Sequence, residues 1–134
     1  MNATVTRVLI ADDQIRARRS LHALLTAMRW NHNGRGERSD GLIETVGEAT
    51  DGEQTIDQVD ALHPDVVIME LYMPKLDGMA VIRIIKSRWP EVRIVVLTMY
   101  ATDRAAALAS GADTFLLKGC PTGELLDAVK PSLR

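Results

Sequence analysis

Five short apolar segments alternate with helical patterns along the chain. Most are rich in Val, Ile and Leu, and their hydrophobic residues run almost continuously instead of alternating with polar ones. This pattern is typical of parallel strands that are buried on both faces. The predicted strands cover residues 7–11, 44–49, 65–70, 93–98 and 114–118.

A helical pattern follows each predicted strand. Four of the five patterns space apolar residues three or four positions apart, which gives a helix one apolar stripe. The stripes are formed by Leu21, Leu24, Leu25 and Met28, by Ile56, Val59 and Leu62, by Val81, Ile82 and Ile85, and by Leu125, Leu126 and Val129. The remaining segment, 102–111, is alanine-rich and ends at Gly111, a residue that suits a helix C-terminus. Because strand–helix–strand crossovers are right-handed, this alternation predicts an α/β fold with a doubly wound, five-stranded parallel sheet and helices on both faces.

Residues 29–41, RWNHNGRGERSDG, interrupt this regular alternation. The segment is polar and aperiodic and contains glycine, so we predict a long loop insertion between the first helix and the second strand. Its G-x-G lacks the third glycine of a dinucleotide-binding loop and follows a helix instead of a strand, which argues against such a site.

Length and composition indicate one intracellular domain. A chain of 134 residues is expected to form a single domain over residues 1–134. The formal charge of −2 argues against nonspecific binding to nucleic acid. The single cysteine, Cys120, allows no internal disulfide, and no apolar segment is long enough to span a membrane. We therefore expect a cytoplasmic protein without membrane contact.

Reactive side chains follow four of the five predicted strands. Asp12 and Asp13 come after the first strand, Glu70 ends the third, Thr98 the fourth and Lys118 the fifth. Ligands of open parallel sheets bind beyond the carboxyl ends of the strands, so these groups are expected to meet. Three neighbouring carboxylates repel one another, so either one pKa rises or a cation binds among them. Oxygen ligands favour Mg²⁺ as that cation. The lysine and the hydroxyl beside the ion would suit the oxygens of a phosphoryl group.

Each of these residues also has a purely structural interpretation. Asp12 and Asp13 could cap the first helix, Thr98 could be a surface hydroxyl, and Lys118 could be a solvated strand end. We favour the site because four strands would otherwise each carry a suitable group by accident.

Four motifs give the chain a resemblance to a known family. The segments VLIADDQ, VVIMELYMPKLDG, RIVVLTMY and GADTFLLKG resemble receiver domains of bacterial two-component response regulators, over roughly residues 5–130. The stretches VGEATDGEQTI and LLKG…GELLDAVK resemble the LuxR/NarL-type transcriptional regulators. The resemblance implies a flavodoxin-like, CheY-like fold with strand order 2-1-3-4-5. It also implies a signalling switch in a phosphorelay that controls transcription, and not an enzyme.

The resemblance also implies partners. A sensor histidine kinase would deliver the phosphoryl group, and a homodimer is a further expectation. DNA would be contacted only through a C-terminal DNA-binding output domain, which is absent from this chain.

Individual roles follow from the motifs. Asp12 and Asp13 match the acidic pair that holds Mg²⁺, with Asp13 as the expected direct ligand, and the backbone carbonyl of Tyr72 matches a further metal contact. Thr98 matches the switch hydroxyl that turns toward the phosphoryl group, and Lys118 matches the cation that pairs with it. Phe115 matches the aromatic rotamer switch, and Pro74 and Gly78 match residues that shape the loop after the third strand.

Three features depart from the family pattern. Besides the 29–41 insertion, Gly119 replaces a proline that usually follows the lysine through a cis bond. A cis bond at a residue other than proline costs about 3 kcal/mol, so we expect a trans bond. The third departure is Glu70, which stands at the position of the phospho-accepting aspartate.

Glu70 is expected to impair phosphorylation. Its carboxylate lies one C–C bond further out, and a displacement of roughly 1 Å from in-line geometry can cost on the order of 100-fold in rate. Self-phosphorylation and dephosphorylation would be slow at most. The longer side chain carries negative charge into the phosphoryl position, so Glu70 is predicted to be a partial phosphomimic and a metal ligand.

Three other functions compete with this interpretation. The first is a receiver-like interaction module that works without phosphorylation. A haloacid-dehalogenase-type phosphatase would need D-x-D-x-[TV] after the first strand, where this chain has ADDQI. A flavodoxin-like cofactor carrier would need a hydroxyl-rich phosphate loop in the place of Asp12 and Asp13.

Overall fold

The computed structural model describes residues 5–28 and 42–131. The strands are β1 (Val5–Ala11), β2 (Leu42–Ala49), β3 (Val66–Met69), β4 (Arg93–Thr98) and β5 (Thr114–Leu117). The helices are α1 (Ile15–Met28), α2 (Gly52–Leu62), α3 (Gly78–Arg88), α4 (Arg104–Ser110) and α5 (Thr122–Val129). A 3₁₀ turn, Ala101–Asp103, precedes α4. The predicted 29–41 insertion lies outside the described residues.

The five strands form one parallel sheet in the order β2-β1-β3-β4-β5. This order confirms the doubly wound fold and the strand order that the resemblance implied. The order reverses between β1 and β3, because β2 lies outside β1 and the later strands extend on the other side. The carboxyl ends of β1 and β3 therefore flank the crevice in which this fold binds ligands.

The sheet is buried on both faces, and successive residues of a strand point to opposite sides. In β3, Val67 and Met69 join the core beneath α2, α3 and α4, whereas Val66 and Ile68 join the core beneath α1 and α5. All four residues of β3 are at most 1% exposed. A four-residue strand with no polar position is stable only where both faces are covered, which explains its continuous apolar sequence.

Local capping interactions determine where α2 begins and where α4 ends. The Asp51 side chain accepts the Gln54 N–H at 2.7 Å and so begins α2. Gly111 ends α4 with a φ of 119°, a left-handed conformation that glycine adopts without strain. Within the described part of the chain, no helix is long and apolar enough to cross a membrane.

Two predicted strands were one residue too long at the functional end. β3 ends at Met69 and β5 ends at Leu117, so Glu70 and Lys118 are the first residues after their strands. Both side chains are consequently released from the sheet face and can turn toward the crevice.

Candidate functional site

Backbone hydrogen bonds hold the functional residues just beyond the strand ends. The N–H of Asp12 donates to a β2 carbonyl at 3.0 Å, and the N–H of Glu70 donates to a β1 carbonyl at 2.9 Å. The N–H of Lys118 donates to the carbonyl of Thr98 at 2.8 Å. The sheet pattern thus continues for one more residue and fixes three charged residues at one edge.

Lys118 lies between two of the acids. Its Nζ is 2.9 Å from Asp12 Oδ2 and 3.0 Å from Glu70 Oε1. Partial burial lowers the pKa of Lys118, but hydrogen bonds and charge attraction from Asp12 and Glu70 outweigh it, so the pKa is raised overall. The ammonium therefore stays protonated and neutralises one of the two carboxylate charges.

The second oxygen of Glu70 bonds the backbone of its own loop. Glu70 Oε2 accepts the N–H of Leu71 at 2.7 Å and lies 3.3 Å from the N–H of Tyr72. Both side-chain oxygens of Glu70, a residue that is only 7% exposed as a whole, are therefore engaged. Glu70 is therefore held from two sides, by Lys118 and by the backbone of the loop that follows β3.

The two neighbouring aspartates differ in their surroundings. Asp12 is buried, and its Oδ1 accepts the N–H of Gln14 at 2.9 Å, directly ahead of α1. The capping interpretation and the site interpretation of Asp12 are therefore compatible, because Oδ2 faces Lys118. Asp13 is exposed.

The predicted switch residues lie in the interior. Thr98 is fully buried, and within the described residues its hydroxyl has no protein hydrogen-bond partner. Phe115 is 6% exposed and packs in the core beneath α2, α3 and α4. A buried hydroxyl without a partner is costly, so a ligand oxygen that reached Thr98 would be bound favourably.

The donor chemistry suits Mg²⁺, but the acids are not grouped around a common point. No three His, Cys, Asp or Glu side chains of the described residues are placed to share a metal ion. An ion that took Asp12 Oδ2 and Glu70 Oε1 as ligands would compete with the ammonium of Lys118, which lies against both atoms. The magnesium site formed by Asp12, Asp13, Glu70 and the Tyr72 carbonyl therefore stays a prediction.

The loops beside the site need two particular glycines. A Cβ on Gly78 would lie 2.4 Å from the carbonyl oxygen of Leu71, so a larger residue would displace the backbone. Gly119 has a φ of 91°, which disfavours other residues, and the Lys118–Gly119 bond is trans. Pro74 contributes its carbonyl, which accepts the N–H of Gly52 at 3.1 Å.

Sequence reasoning missed the role of Arg18. Arg18 belongs to none of the motifs, but its side chain is only 12% exposed. The guanidinium donates to the carbonyl of Asp12 and to the carboxylate of Glu48, both at 2.8 Å. Its position one turn into α1, after the acidic pair, was the available signal.

It also missed the side chain of Tyr72. The hydroxyl donates to Asp103 Oδ2 at 2.5 Å, and the ring meets that of Tyr100 edge to face at 5.2 Å between centroids. The hydrogen bond to Asp103 is the main reason that the pKa of Tyr72 is raised. The loop after β3 is thus tied to the start of α4, a contact between distant segments that no local pattern indicates.

Residues 8–130 match the family model of the response regulator receiver domain. A curated protein similar to the chain is the response regulator protein VraR of Staphylococcus epidermidis. The two are 36% identical over 90 residues, which cover 66% of this chain and 43% of VraR. The chain therefore spans less than half the length of this relative.

Solved structures share the fold over most of the chain. The isolated receiver domain of RcsB from Salmonella enterica serovar Typhimurium, in the presence of phosphomimetic BeF₃⁻, gives a TM-score of 0.76 at 26% identity. The match covers 92% of this chain and 85% of that one. The signal receiver domain of NarL from Mycobacterium tuberculosis gives 0.74 at 26% identity, with 92% of each chain covered.

Proposed function

The chain belongs to the response regulator receiver domain family, and we propose that it is a LuxR/NarL-type receiver domain in which Glu70 replaces the phospho-acceptor and partly imitates its phosphorylated form. Receiver domains of this family are generally signal transducers and not enzymes. In this proposal the chain retains at most slow self-phosphorylation and dephosphorylation, which Glu70 impairs.

The contact between Glu70 and Lys118 carries this proposal. Glu70 Oε1 lies 3.0 Å from Lys118 Nζ, and Lys118 is the group expected to pair with a phosphoryl oxygen. A carboxylate oxygen thus already provides a negative partner for that lysine. Because both residues are largely buried, water replaces this contact poorly.

The imitation is incomplete at Thr98. A phosphoryl group offers three oxygens and a charge of about −1.5 to −2, whereas a carboxylate offers two oxygens and a single charge. One carboxylate oxygen of Glu70 contacts Lys118, and the other accepts a hydrogen bond from the loop that follows β3. The hydroxyl of Thr98 is left without a protein partner in the described structure. Glu70 therefore supplies the lysine contact and not the threonine contact.

The partners follow from the family. We propose that a sensor histidine kinase binds this domain and that DNA is contacted through an output domain outside this chain. A homodimer is part of the same proposal. A metal ion at Asp12, Asp13, Glu70 and the Tyr72 carbonyl would screen the acids and position a phosphoryl donor.

A phosphorylation-independent interaction module is the second candidate. The observation that favours it is the closed network in which Asp12 and Glu70 both bind Lys118. An incoming phosphoryl group would have to break at least one of these contacts. In this alternative the network only stabilises the domain, and partner binding does not respond to phosphate.

The substitution Glu70→Asp distinguishes the two candidates. It shortens the nucleophile by one methylene and should restore in-line geometry, so acetyl phosphate with Mg²⁺ should label the variant. Mass spectrometry should show the gain of one phosphoryl group, which hydroxylamine removes. The Glu70 protein should react on the order of 100-fold more slowly.

Glu70→Gln is the matched control, since an amide keeps the length but cannot form an acyl phosphate. Rapid labelling of the Glu70 protein would refute the geometric argument. Absence of label on Glu70→Asp would favour the phosphorylation-independent module.

A further inference from the structure

A cavity of about 280 Å³ lies between α1 and α5, directly behind the charged residues of the crevice. Its apolar walls come from both helices and from the sheet beneath them. They include Ala17, Leu21 and Leu24 of α1, Ile68 of β3 and Leu125 of α5. The volume is nearly twice the ~150 Å³ of a cavity that holds benzene, so a body of two fused rings fits.

One end of the cavity is charged. Asp12, Glu70 and Lys118 line it, and their side chains are 9%, 8% and 24% exposed. Two carboxylates and one ammonium leave one negative charge in a poorly hydrated place. Such a charge attracts a cation and repels an anion more strongly than it would in water.

The free hydrogen-bonding positions of these residues also favour a cation, because they are mostly acceptors. Two of the three N–H donors of Lys118 are engaged by Asp12 and Glu70. Each ionised carboxylate has about four lone-pair sites, and the protein contacts of Asp12 and Glu70 leave some of them open. A ligand that donates protons is therefore better matched than one that only accepts them.

We propose that this cavity is a binding site for a small apolar amine, whose ring system lies between α1 and α5 and whose ammonium group pairs with Asp12 and Glu70. A pocket with apolar walls and a few convergent charged groups is the usual form of a small-molecule site. The ligand would reach the residue that replaces the phospho-acceptor. This gives the domain an input that needs no phosphoryl transfer and does not depend on the phosphomimic proposal.

Cys120 provides a direct measure of occupancy. It lines the cavity, it is half-buried, and it is the single cysteine of the chain. Burial is the main reason that the pKa of its thiol is raised, so its reaction with N-ethylmaleimide is slow enough to follow. A ligand in the cavity should slow this reaction further, and intact-mass measurement reports a single adduct.

The test uses the 134-residue chain and three probes with the same ring system. Naphthylmethylamine is a cation, naphthylmethanol is neutral and naphthoate is an anion at pH 7. The amine should protect Cys120 with an affinity at least about ten-fold higher than that of the alcohol, and naphthoate should protect least. Glu70→Gln removes the excess negative charge and should reduce the preference for the amine by about the same factor.

Two substitutions on α1 distinguish binding in the cavity from binding elsewhere on the surface. Ala17→Leu fills the cavity and should weaken protection by all three probes at least ten-fold. Ala27→Leu adds the same side chain at an exposed position of the same helix and should leave protection unchanged. Ser20→Leu, also on the cavity wall, replaces Ala17→Leu if circular dichroism shows that the latter is unfolded.

Four results would overturn the proposal. They are a rate of alkylation that no probe changes, full protection in the filled variant, loss of protection in Ala27→Leu, and equal affinity for the alcohol and the amine.

Discussion

The contacts of Lys118 with Asp12 and Glu70 are tested most directly by removing the ammonium group of the lysine. In Lys118→Met the side chain keeps most of its length and apolar stem but loses its charge. Asp12 and Glu70 then face each other without the cation that lies 2.9 and 3.0 Å from them. Each acid keeps its backbone hydrogen bonds, so the change isolates the cost of two neighbouring, largely buried negative charges.

We expect a loss of about 2–3 kcal/mol in the free energy of unfolding. Removing one partner from a fully buried ion pair typically costs ~3–5 kcal/mol. Lys118 is 24% exposed, so solvent offsets part of that cost, and we take a lower range. The pKa of Lys118 is raised in the folded state, so its stabilising contribution is fully present below its ordinary value of 10.5. It is lost only as the pH rises through the higher folded value, and a measurement at pH 7 captures the whole effect.

Urea unfolding at pH 7 measures this loss as a lower midpoint with an unchanged slope. Lys75→Met is the matched control, because Lys75 is 59% exposed and lies 3.8 Å from Asp51, so its removal should cost less than ~0.5 kcal/mol. Adding Glu70→Gln to Lys118→Met should recover at least ~1 kcal/mol, since it removes one of the two repelling charges. Equal effects of Lys118→Met and Lys75→Met, or no recovery in the double variant, would refute the reasoning.

Three further substitutions test other parts of the site. Gly78→Ala should lower the free energy of unfolding in urea by more than ~2 kcal/mol, because the added Cβ would lie 2.4 Å from a backbone carbonyl oxygen. Gly123→Ala is the control: a Cβ there meets nothing within 4 Å, so stability should be unchanged or slightly higher. Tyr72→Phe should remove a tyrosine ionisation that occurs above the ordinary range in an absorbance titration, because the hydrogen bond to Asp103 raises the pKa of Tyr72. The same high-pH ionisation in the variant would contradict this. Asp13→Asn should abolish Mg²⁺ binding in calorimetry, and binding that persists would exclude Asp13 as a ligand.

The sequence predicts the fold and the edge at which the site lies because both depend on local patterns. The continuous apolar sequence of β3 requires two covered faces, and two covered faces require helices on both sides of a parallel sheet. Glu70 and Lys118 follow such strands directly, so their meeting at one edge could be predicted without coordinates. Their strand ends were misplaced by one residue, since a charged residue can complete a backbone pattern without belonging to the strand.

Contacts between distant segments could not be predicted in the same way. Lys118 and Asp12 are 106 residues apart in sequence, and the choice between a salt bridge and a shared metal ion depends on fractions of an ångström. The side chain of Tyr72 reaches Asp103 only because the loop after β3 lies beside the start of α4. Neither Tyr72 nor Asp103 carries a periodic signal, so this hydrogen bond appears only in three dimensions.

Among the described residues, the hydroxyl of Thr98 has no protein hydrogen-bond partner, and the free energy that it could still gain limits how strongly this site can respond to a ligand. A buried hydroxyl without a partner costs about 1–3 kcal/mol, and a ligand oxygen that reached it would recover part of that free energy. Coupling of about 1–3 kcal/mol corresponds to population shifts of about 5–150-fold. Glu70 cannot recover this free energy, because its two oxygens are engaged by Lys118 and by its own loop. Under the proposed function, Glu70 should therefore shift the domain only partly toward its signalling state, and an oxygen-bearing group beside Thr98 would be needed to complete the shift.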